Sequence, residues 1–326
     1  MSFEFSAGAI IYRIEEGRPV FLLLVKDGGE YDIAKGHIEK GETAKMAAER
    51  EIMEEAGIRV LFKEGFAKDI RYFFYRKKNR VFKKVKVFLA EADSKNVKIS
   101  DEHVGYEWAD YESVSQKIKF KDMKRVFALA AGYIEKIGLM DDLNRKYGKL
   151  PSENGNWGLS SRLVPGEGPL DAKIMLVGQA PGKNEDEKLR PFIGRSGLLL
   201  SEALKKAGIR RERCYVTSVV QFFPPKNRMP TEEEVGLCAP FLMQQIEIVN
   251  PRWIIALGSL SSSVLAGVEK ISEAHGRFIL RGGNKVMPTF HPAAALRFKR
   301  IKGLFEEDLS EFAARTGRAE NQTGKE

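Results

Sequence analysis

The sequence predicts an α/β protein of two domains, an α/β/α domain with a mixed sheet followed by a three-layer α/β/α domain with a parallel sheet. The chain has 326 residues, more than one ordinary hydrophobic core needs. Its N-terminal part alternates into apolar runs joined by a polar turn, as paired strands do. Its C-terminal part has short, wholly apolar runs between helical segments, a pattern typical of buried parallel strands with crossover helices.

The first domain is expected to begin with a strand pair at 3–14 and 20–26. A helix follows from Thr43 to about Ala56, because Thr43 can cap its start and Gly57 lies just past its end. Apolar spacing then predicts strands at 67–75 and 81–92 and a closing helix at 120–137. These elements place the first domain at residues 1–138.

A polar stretch rich in Gly, Pro, Ser and Asn follows, so we expect a linker at 139–150 and a second domain at 151–316. The strands predicted there are 174–177, 215–220, 253–257 and 286–290. The helices predicted between and after them are 197–208, 231–249, 259–267 and 301–314. Residues 317–326 are expected to be a disordered tail.

The composition excludes several classes of protein. Hydrophobic residues make up 43% and charged residues 30%, and no apolar run reaches the roughly 18 residues that span a membrane. The N-terminus lacks the features of an export signal, so we expect a cytoplasmic protein with no membrane partner. Only Cys214 and Cys238 are available, which excludes a disulfide framework and any four-cysteine metal site.

The net charge is +9, and one stretch of the second domain is strongly basic. From Arg277 to Lys302 there are seven basic residues and no acidic one. Such a stretch can neutralise phosphates. A solvated basic face explains the charge equally well.

An acidic pattern with fixed spacing lies in the first predicted helix. It consists of Gly36, Glu42 and the run Arg50-Glu51-Ile52-Met53-Glu54-Glu55-Ala56-Gly57-Ile58. Glu51, Glu54 and Glu55 stand at i, i+3 and i+4, so their carboxylates share one helix face and can hold divalent cations. A surface helix rich in acids is the alternative, and the complete spacing argues against it.

This pattern is the Nudix box, and residues 6–136 resemble the asymmetric diadenosine tetraphosphate hydrolases of the Nudix family. The resemblance also rests on Ser6–Ile11, Lys35-Gly36-His37, Glu64-Gly65-Phe66 and Glu102–Trp108. It implies pyrophosphate hydrolysis with Mg²⁺ or Mn²⁺ at Glu51, Glu54, Glu55 and Gly36. It further implies that Glu102 assists the metal or acts as a base, and that Lys35, Tyr72 and Lys83 bind the nucleotide. Ala34 departs from the family, which usually has proline there.

A basic cluster accompanies the predicted strand pair of residues 67–92. Its members are Arg71, Arg76, Lys77, Lys78, Arg80, Lys83, Lys84 and Lys86. Their charge suits a substrate with a long phosphate chain. For residues 76–80 we favour the alternative of a solvated hairpin tip.

The second domain carries a series of short motifs around its predicted strand ends. They are Gly178-Gln179-Ala180-Pro181-Gly182, Glu185-Asp186, Arg190–Gly197, Tyr215–Ser218, Pro224–Pro230 and Thr289-Phe290-His291-Pro292-Ala293-Ala294. Ligands bind at the carboxyl ends of parallel strands, where these motifs lie. In this order the motifs resemble family 4 uracil-DNA glycosylases over residues 141–314.

That resemblance implies removal of a base flipped out of DNA, with one task for each motif. Phe192 corresponds to the aromatic residue that stacks on the base, and Gln179, Ala180 and Ser218 face or read it. His291 corresponds to the histidine that stabilises the charge on the departing base, and Glu185 to a carboxylate that positions water. The residues expected to contact DNA are Arg195, Arg228, Leu296 and Arg297.

The second domain also departs from that family. Gln179 replaces a glutamate, and Ser218 replaces an asparagine that usually reads the uracil edge, so selectivity could be weakened, shifted to another deaminated base or lost. Gly158, Ser161 and Phe222 replace three cysteines that hold an iron–sulfur cluster, and Cys238 alone remains. We therefore expect no iron–sulfur cluster.

Three hypotheses follow. The first is a bifunctional enzyme that hydrolyses a nucleotide polyphosphate and excises uracil or another deaminated base from DNA. The second keeps the hydrolase but reduces the second domain to a silent module that binds DNA or nucleotide. The third, two scaffold domains, conflicts with the unbroken Nudix box. The sequence does not indicate an oligomeric state.

Overall fold

A computed structural model describes residues 2–76, 79–154 and 157–323. The chain divides into two compact units, residues 1–135 and 136–326. Both units are α/β, each built on its own sheet, as the sequence predicts. Among the described residues, the structure has no helix that is both long and apolar enough to cross a membrane.

The first unit is built on a seven-stranded mixed sheet. Its strands are β1 (Ser2–Glu15), β2 (Arg18–Lys26), β3 (Tyr31–Asp32), β4 (Lys35–His37), β5 (Val60–Arg76), β6 (Asn79–Ala92) and β7 (His103–Ala109). Its helices are α1 (Ala44–Ala56) and α2 (Tyr111–Lys117), and α3 (Lys121–Tyr147) begins in this unit and continues past its boundary at residue 135. The main path is β3-β2-β1-β6-β5, with β4 paired to β1 and β7 paired to β2. The strand β7 and the helix α2 are elements that the sequence analysis missed.

Helix α1 carries the acidic pattern and begins and ends where the sequence predicts. The Thr43 hydroxyl accepts a hydrogen bond from the Met46 N–H, and Gly57 ends the helix in the left-handed conformation at φ 59°. One face buries Ala47, Ala48 and Ile52 against the sheet. Small side chains there let the helix approach closely, and the three glutamates remain off the buried face.

The basic cluster of the first unit is divided between the two faces of the sheet. Lys83 lies in one cross-strand row with Glu4 and Tyr72, because Lys83 pairs with Glu4 on β1 and with Tyr72 on β5. Arg71, Lys84 and the other even-numbered β6 residues project from the opposite face, since side chains alternate along a strand. These side chains therefore do not form one continuous surface. Lys77 and Lys78 lie outside the described residues.

The second unit has a five-stranded sheet in the order β11-β12-β10-β8-β9. Its strands are β8 (Ile174–Gly178), β9 (Cys214–Ser218), β10 (Trp253–Leu257), β11 (Ile279–Arg281) and β12 (Asn284–Thr289). Its helices are α4 (Leu150–Glu153), α5 (Lys183–Lys188), α6 (Arg195–Lys206), α7 (Glu232–Val249), α8 (Ser259–Ala266), α9 (Ile271–Ala274), α10 (Pro292–Arg297) and α11 (Lys299–Thr323). The four predicted strands are parallel, and β11 adds an antiparallel edge that was not predicted.

Two boundary predictions differ from the structure. Helix α3 continues to Tyr147, so most of the predicted linker 139–150 is helical. Met140, Leu143 and Tyr147 are buried, and their i, i+3, i+7 spacing explains why the helix continues. Helix α11 continues to Thr323, so residues 317–323 of the predicted tail are helical, and 324–326 lie outside the described residues. Residues 317–323 contain no proline, and Gly317 is the one poor helix former that the helix accommodates there.

Candidate active sites

The Nudix helix presents its acids beside a glycine of β4. A side-chain carbon at Gly36 would lie 1.9 Å from the Glu51 carboxylate, so only glycine leaves room for that acid. Arg50 donates hydrogen bonds to Glu51 at 2.8 Å and to Glu54 at 2.9 Å, and also bonds Glu42 at 2.9 Å. Arg50 thus joins the helix to the preceding loop, a role that the sequence analysis did not assign to it.

Glu55 is the most perturbed carboxylate of the helix. Burial raises the pKa of Glu55 to about 7, and the charges of Glu51 and Glu102 add to the shift. Lys35 opposes it, through its charge and through its backbone N–H, which donates to the Glu55 carboxylate at 3.1 Å. The predicted Glu102 is exposed and lies close enough to act on Glu55 electrostatically. Glu51 and Glu102 therefore both act electrostatically on Glu55.

The donor set suits a hard divalent cation. The charges of Glu51 and Glu102 repel that of Glu55, and a bound cation would relieve this repulsion. Gly36 leaves the space that the Glu51 carboxylate occupies. In residues 2–76, 79–154 and 157–323, no three His, Cys, Asp or Glu side chains already converge into a metal site. Glu51 and Glu54 instead each accept a hydrogen bond from Arg50 through one carboxylate oxygen.

The predicted nucleotide contacts lie around an acid that the sequence analysis missed. The ammonium groups of Lys35 and Lys26 both bond the carboxylate of Asp32, Lys26 at 2.7 Å. Burial raises the pKa of Tyr72, and the charge of Asp32 adds to the shift, so Tyr72 lies within electrostatic range of Asp32. Lys35 is itself bonded to Asp32. The pairing could have been suspected from Asp32 lying three residues before Lys35.

In the second unit, the predicted site residues meet in one cavity of about 570 Å³. All ten of them line it: Gln179, Ala180, Glu185, Phe192, Arg195, Ser218, Arg228, His291, Leu296 and Arg297. The residues come together because β8, β9 and β12 are parallel, so the loops after Gly178, Ser218 and Thr289 leave the same edge of the sheet. Asn184 and Asn227 also line the cavity and were not predicted.

Phe192 adopts a backbone conformation that is unusual for a large side chain. Its φ of 52° lies in the left-handed region, and the surrounding glycines make this possible. A side-chain carbon at Gly178 would lie 2.4 Å from the Phe192 ring, and one at Gly197 would lie 1.8 Å from the Phe192 carbonyl oxygen. Such backbone strain persists where the surrounding packing imposes it. Here the packing holds the Phe192 ring against the cavity.

His291 is held in one tautomer. It caps α10, and its Nδ1 accepts a hydrogen bond from the Ala293 N–H at 3.1 Å. Burial lowers the pKa of His291 to about 4, so the ring is neutral at pH 7 and carries its proton on Nε2. The ring centroid lies 6.1 Å from that of Phe192. The cavity therefore contains a neutral hydrogen-bond donor beside an aromatic ring.

Glu185 joins two walls of the cavity. Its carboxylate accepts hydrogen bonds from the Gly194 N–H at 2.7 Å and the Gly182 N–H at 3.2 Å. These bonds fix the loop after β8 to the start of α6. The carboxylate is buried and still lines the cavity, so its remaining lone pairs can accept a bond from water.

The predicted DNA contacts differ in how they are held. Arg195, Leu296 and Arg297 are exposed at the rim of the cavity. Arg228 instead bonds both carboxylate oxygens of Glu234, at 2.6 and 2.8 Å, and the Gly158 carbonyl at 3.1 Å. With its donors used in this way, Arg228 braces the cavity wall, which differs from its predicted role.

Aromatic side chains surround the position where the resemblance implies an iron–sulfur cluster. Phe222 is fully buried and contacts Trp157 and Tyr147 edge to face, with centroids 5.0 and 5.1 Å apart. Tyr147 also stacks on Phe241 at 4.3 Å. Burial raises the pKa of the Cys238 thiol to about 11, which opposes the thiolate that a metal requires. These residues do not fit a cluster.

Replacing Tyr147 with alanine is expected to lower the free energy of unfolding of the second unit by about 3–5 kcal/mol, the usual cost of removing a buried ring. Tyr147→Phe keeps both ring contacts and is expected to unfold nearly as the wild type does. Calorimetry of the full chain measures both variants. Equal transitions for Tyr147→Ala and the wild type would contradict a structural role for this aromatic group.

Family models match both units of the chain. A model of the NUDIX domain matches residues 3–130, and a model of the uracil DNA glycosylase superfamily matches residues 165–313. Among solved structures, the Ap4A hydrolase of C. elegans in a binary complex is 29% identical and covers 38% of this chain and 93% of its own, with a TM-score of 0.35.

The second unit has close curated relatives. The type-4 uracil-DNA glycosylase of Thermotoga maritima is 49% identical over 154 residues, which cover 46% of this chain and 80% of the relative. That of Pyrobaculum aerophilum is 44% identical over 158 residues, covering 46% and 81%. The chain is thus a hydrolytic enzyme that belongs to the type-4 uracil-DNA glycosylase family through its second unit and carries a Nudix hydrolase domain in its first.

Proposed function

We propose that this protein maintains both DNA and the nucleotide pool. Its second unit excises uracil or another deaminated base from DNA, and its first unit hydrolyses dinucleoside polyphosphates of the diadenosine tetraphosphate type. The observation that carries the proposal is the cavity that joins Phe192, Ser218, Glu185 and neutral His291. A volume of about 570 Å³ accommodates a flipped nucleotide.

In the excision reaction the bond between the base and the sugar breaks, and its electron pair leaves with the base. Phe192 stacks on the base, and the Nε2–H of His291 donates to the base oxygen on which negative charge develops. Because His291 is neutral, it stabilises that charge by a hydrogen bond alone and adds no positive charge of its own. Glu185 orients the water whose oxygen forms the new bond to the sugar.

Base choice is where this cavity departs from its relatives. Ser218 and Gln179 lie at the ends of β9 and β8, beside the position of the base. A serine hydroxyl supplies one contact where an asparagine amide supplies two, so discrimination between uracil and other deaminated bases is reduced. We propose that the site accepts hypoxanthine or xanthine as well as uracil.

The rim of the cavity is suited to DNA. Arg195 and Arg297 are exposed cations that can contact phosphates on either side of the flipped nucleotide. Leu296 is 43% exposed and can fill the space that the base leaves in the duplex. These residues position the DNA, whereas selectivity depends on the interior of the cavity.

In the first unit, Glu51, Glu54 and Glu55 would hold Mg²⁺ or Mn²⁺ with the Gly36 carbonyl. When bound, the ion neutralises charge on the phosphates and activates water. Glu102 accepts a proton from the attacking water, and Lys83 and Tyr72 contact the nucleotide from one row of the sheet. We propose that both reactions take place in the cytoplasm, where reduced cysteines such as Cys214 and Cys238 are stable.

A panel of oligonucleotides tests the excision reaction. The full chain is incubated with single- and double-stranded DNA containing uracil, hypoxanthine or xanthine, and alkali then cleaves the abasic sites. We expect cleavage at uracil, with measurable cleavage at one of the other two bases. No cleavage at any base would overturn this half of the proposal.

The second candidate function is a silent glycosylase domain that only binds DNA or nucleotide. The changes at Gln179 and Ser218 favour it, because both alter the base-reading wall. The same panel separates the two candidates, since a silent domain binds uracil-containing DNA without producing abasic sites.

A further inference from the structure

One end of the first unit's sheet is covered by exposed aromatic rings. The helix α1 packs on Ala7 and, through its small residues, against Phe62 and Phe88, but it does not extend over the strand ends beyond Ala7. Beyond that point, the same face of β1, β6 and β5 carries five aromatic side chains, Phe3, Phe5, Phe73, Tyr75 and Phe82. We call these five residues the aromatic platform.

The rings of the platform are accessible and ordered by the sheet. Phe3 is 61%, Phe73 54% and Tyr75 66% exposed. They lie together in one patch, and a contiguous exposed apolar patch indicates an interaction site, whereas a single exposed ring does not. Phe3, Phe82 and Phe73 form one cross-strand row, in which Phe3 and Phe82 meet edge to face at 5.7 Å. Three strands spaced about 4.8 Å apart give the row a width suited to two or three stacked bases.

Cations lie on the same face, between and beside the rings. They are Arg71, Arg80, Lys84 and Lys86, the part of the basic cluster that the sheet separates from Lys83. The Arg80 guanidinium lies 4.0 Å from the Phe73 ring centroid. Among the described residues of these rows, Asp69 is the one acid, and it bonds Lys84 at 2.9 Å. The platform therefore has a positive field.

We propose that the aromatic platform binds single-stranded nucleic acid, independently of both hydrolytic sites. Rings that stack on bases, combined with cations that follow the phosphates, are what such binding requires. A duplex keeps its bases stacked inside and offers them no access to the rings. A second copy of the platform would bring like charges together, which disfavours pairing of two copies through this face.

The test measures the affinity of the full chain for a fluorescent thymidine oligonucleotide, which contains no uracil, by anisotropy. The double variant Phe3→Ala/Phe73→Ala is expected to bind about 25-fold or more weakly, because loss of each stacked base costs about 5-fold or more. Phe120→Ala is the matched control, since Phe120 is 68% exposed but lies outside the platform. We expect that control to bind as the wild type does.

A second pair of substitutions guards against misfolding of the double variant. Arg71→Gln/Arg80→Gln changes only exposed cations. Because each phosphate contact contributes about 0.7 to the slope of log K against log salt for single strands, we expect this variant to reduce the magnitude of that slope by about 1.4. Photocrosslinking with a 5-iododeoxyuridine oligonucleotide is expected to label Phe3, Phe73 or Tyr75. Unchanged affinity in both double variants, or crosslinks confined to residues 136–323, would overturn the proposal. A dimer that Phe73→Ala dissociates without DNA would also overturn it.

Discussion

A Glu55→Gln variant of the full chain is expected to hydrolyse diadenosine tetraphosphate about 10²–10⁴-fold more slowly than the wild type, with Mg²⁺ present. The change keeps the size of the side chain and removes the carboxylate around which Glu51 and Glu102 gather. It therefore weakens binding of the cation that would activate the attacking water. Release of ATP and AMP measures the loss.

The matched control is Glu49→Gln, because Glu49 is an exposed acid of the same helix outside the three-carboxylate face. That variant is expected to retain wild-type hydrolysis. The thermal unfolding transition of Glu55→Gln, compared with that of the wild type, reports whether the first unit remains folded. Equal hydrolysis by Glu55→Gln and the wild type would refute the assignment of these acids to the reaction.

Replacing His291 with alanine is expected to slow uracil excision about 10²–10³-fold, the usual effect of losing one donor to a developing negative charge. The loss should appear in kcat, since the donor acts mainly as the base departs. Gel assays under single-turnover conditions measure it, and the thermal unfolding transition of the variant controls for folding of the second unit. A wild-type rate would exclude His291 from the reaction.

The pH dependence gives a second test of His291. Because burial lowers its pKa to about 4, the excision rate should not change through titration of this ring between about pH 5.5 and 8. The unfolded histidine has a pKa of about 6.5 and takes up a proton first as the pH falls. The contribution of His291 to stability is thus fully present above about pH 6.5 and is lost as the pH falls towards 4. A rate that rises with protonation near pH 6.5 would contradict a neutral donor.

The sequence was sufficient for the features that depend on local pattern. Thr43 and Gly57 bound helix α1 as predicted, and the apolar run at Trp253–Leu257 is a strand with those limits. Parallel strands have their carboxyl ends at one edge, which is why residues as far apart as Gln179 and His291 could be assigned to a common site.

Features that depend on pairing between distant residues were not predictable in this way. Lys83 and Lys84 project from opposite faces of the sheet, and their neighbours on each face depend on the strand register. The positions of the basic residues along the sequence do not reveal that register. The bond between Arg228 and Glu234 depends on a turn and a helix cap, so the assignment of Arg228 to DNA could not take it into account. The polar composition after Ile137 indicated a linker, whereas three buried side chains continue the helix.

The aromatic group around Phe222 has a consequence for how the protein matures. Its second unit reaches its folded state with side chains that every newly made chain already contains. No delivery of iron or sulfide is needed for that step. We therefore expect any excision by the second unit to persist in cells that are starved of iron or exposed to oxidants.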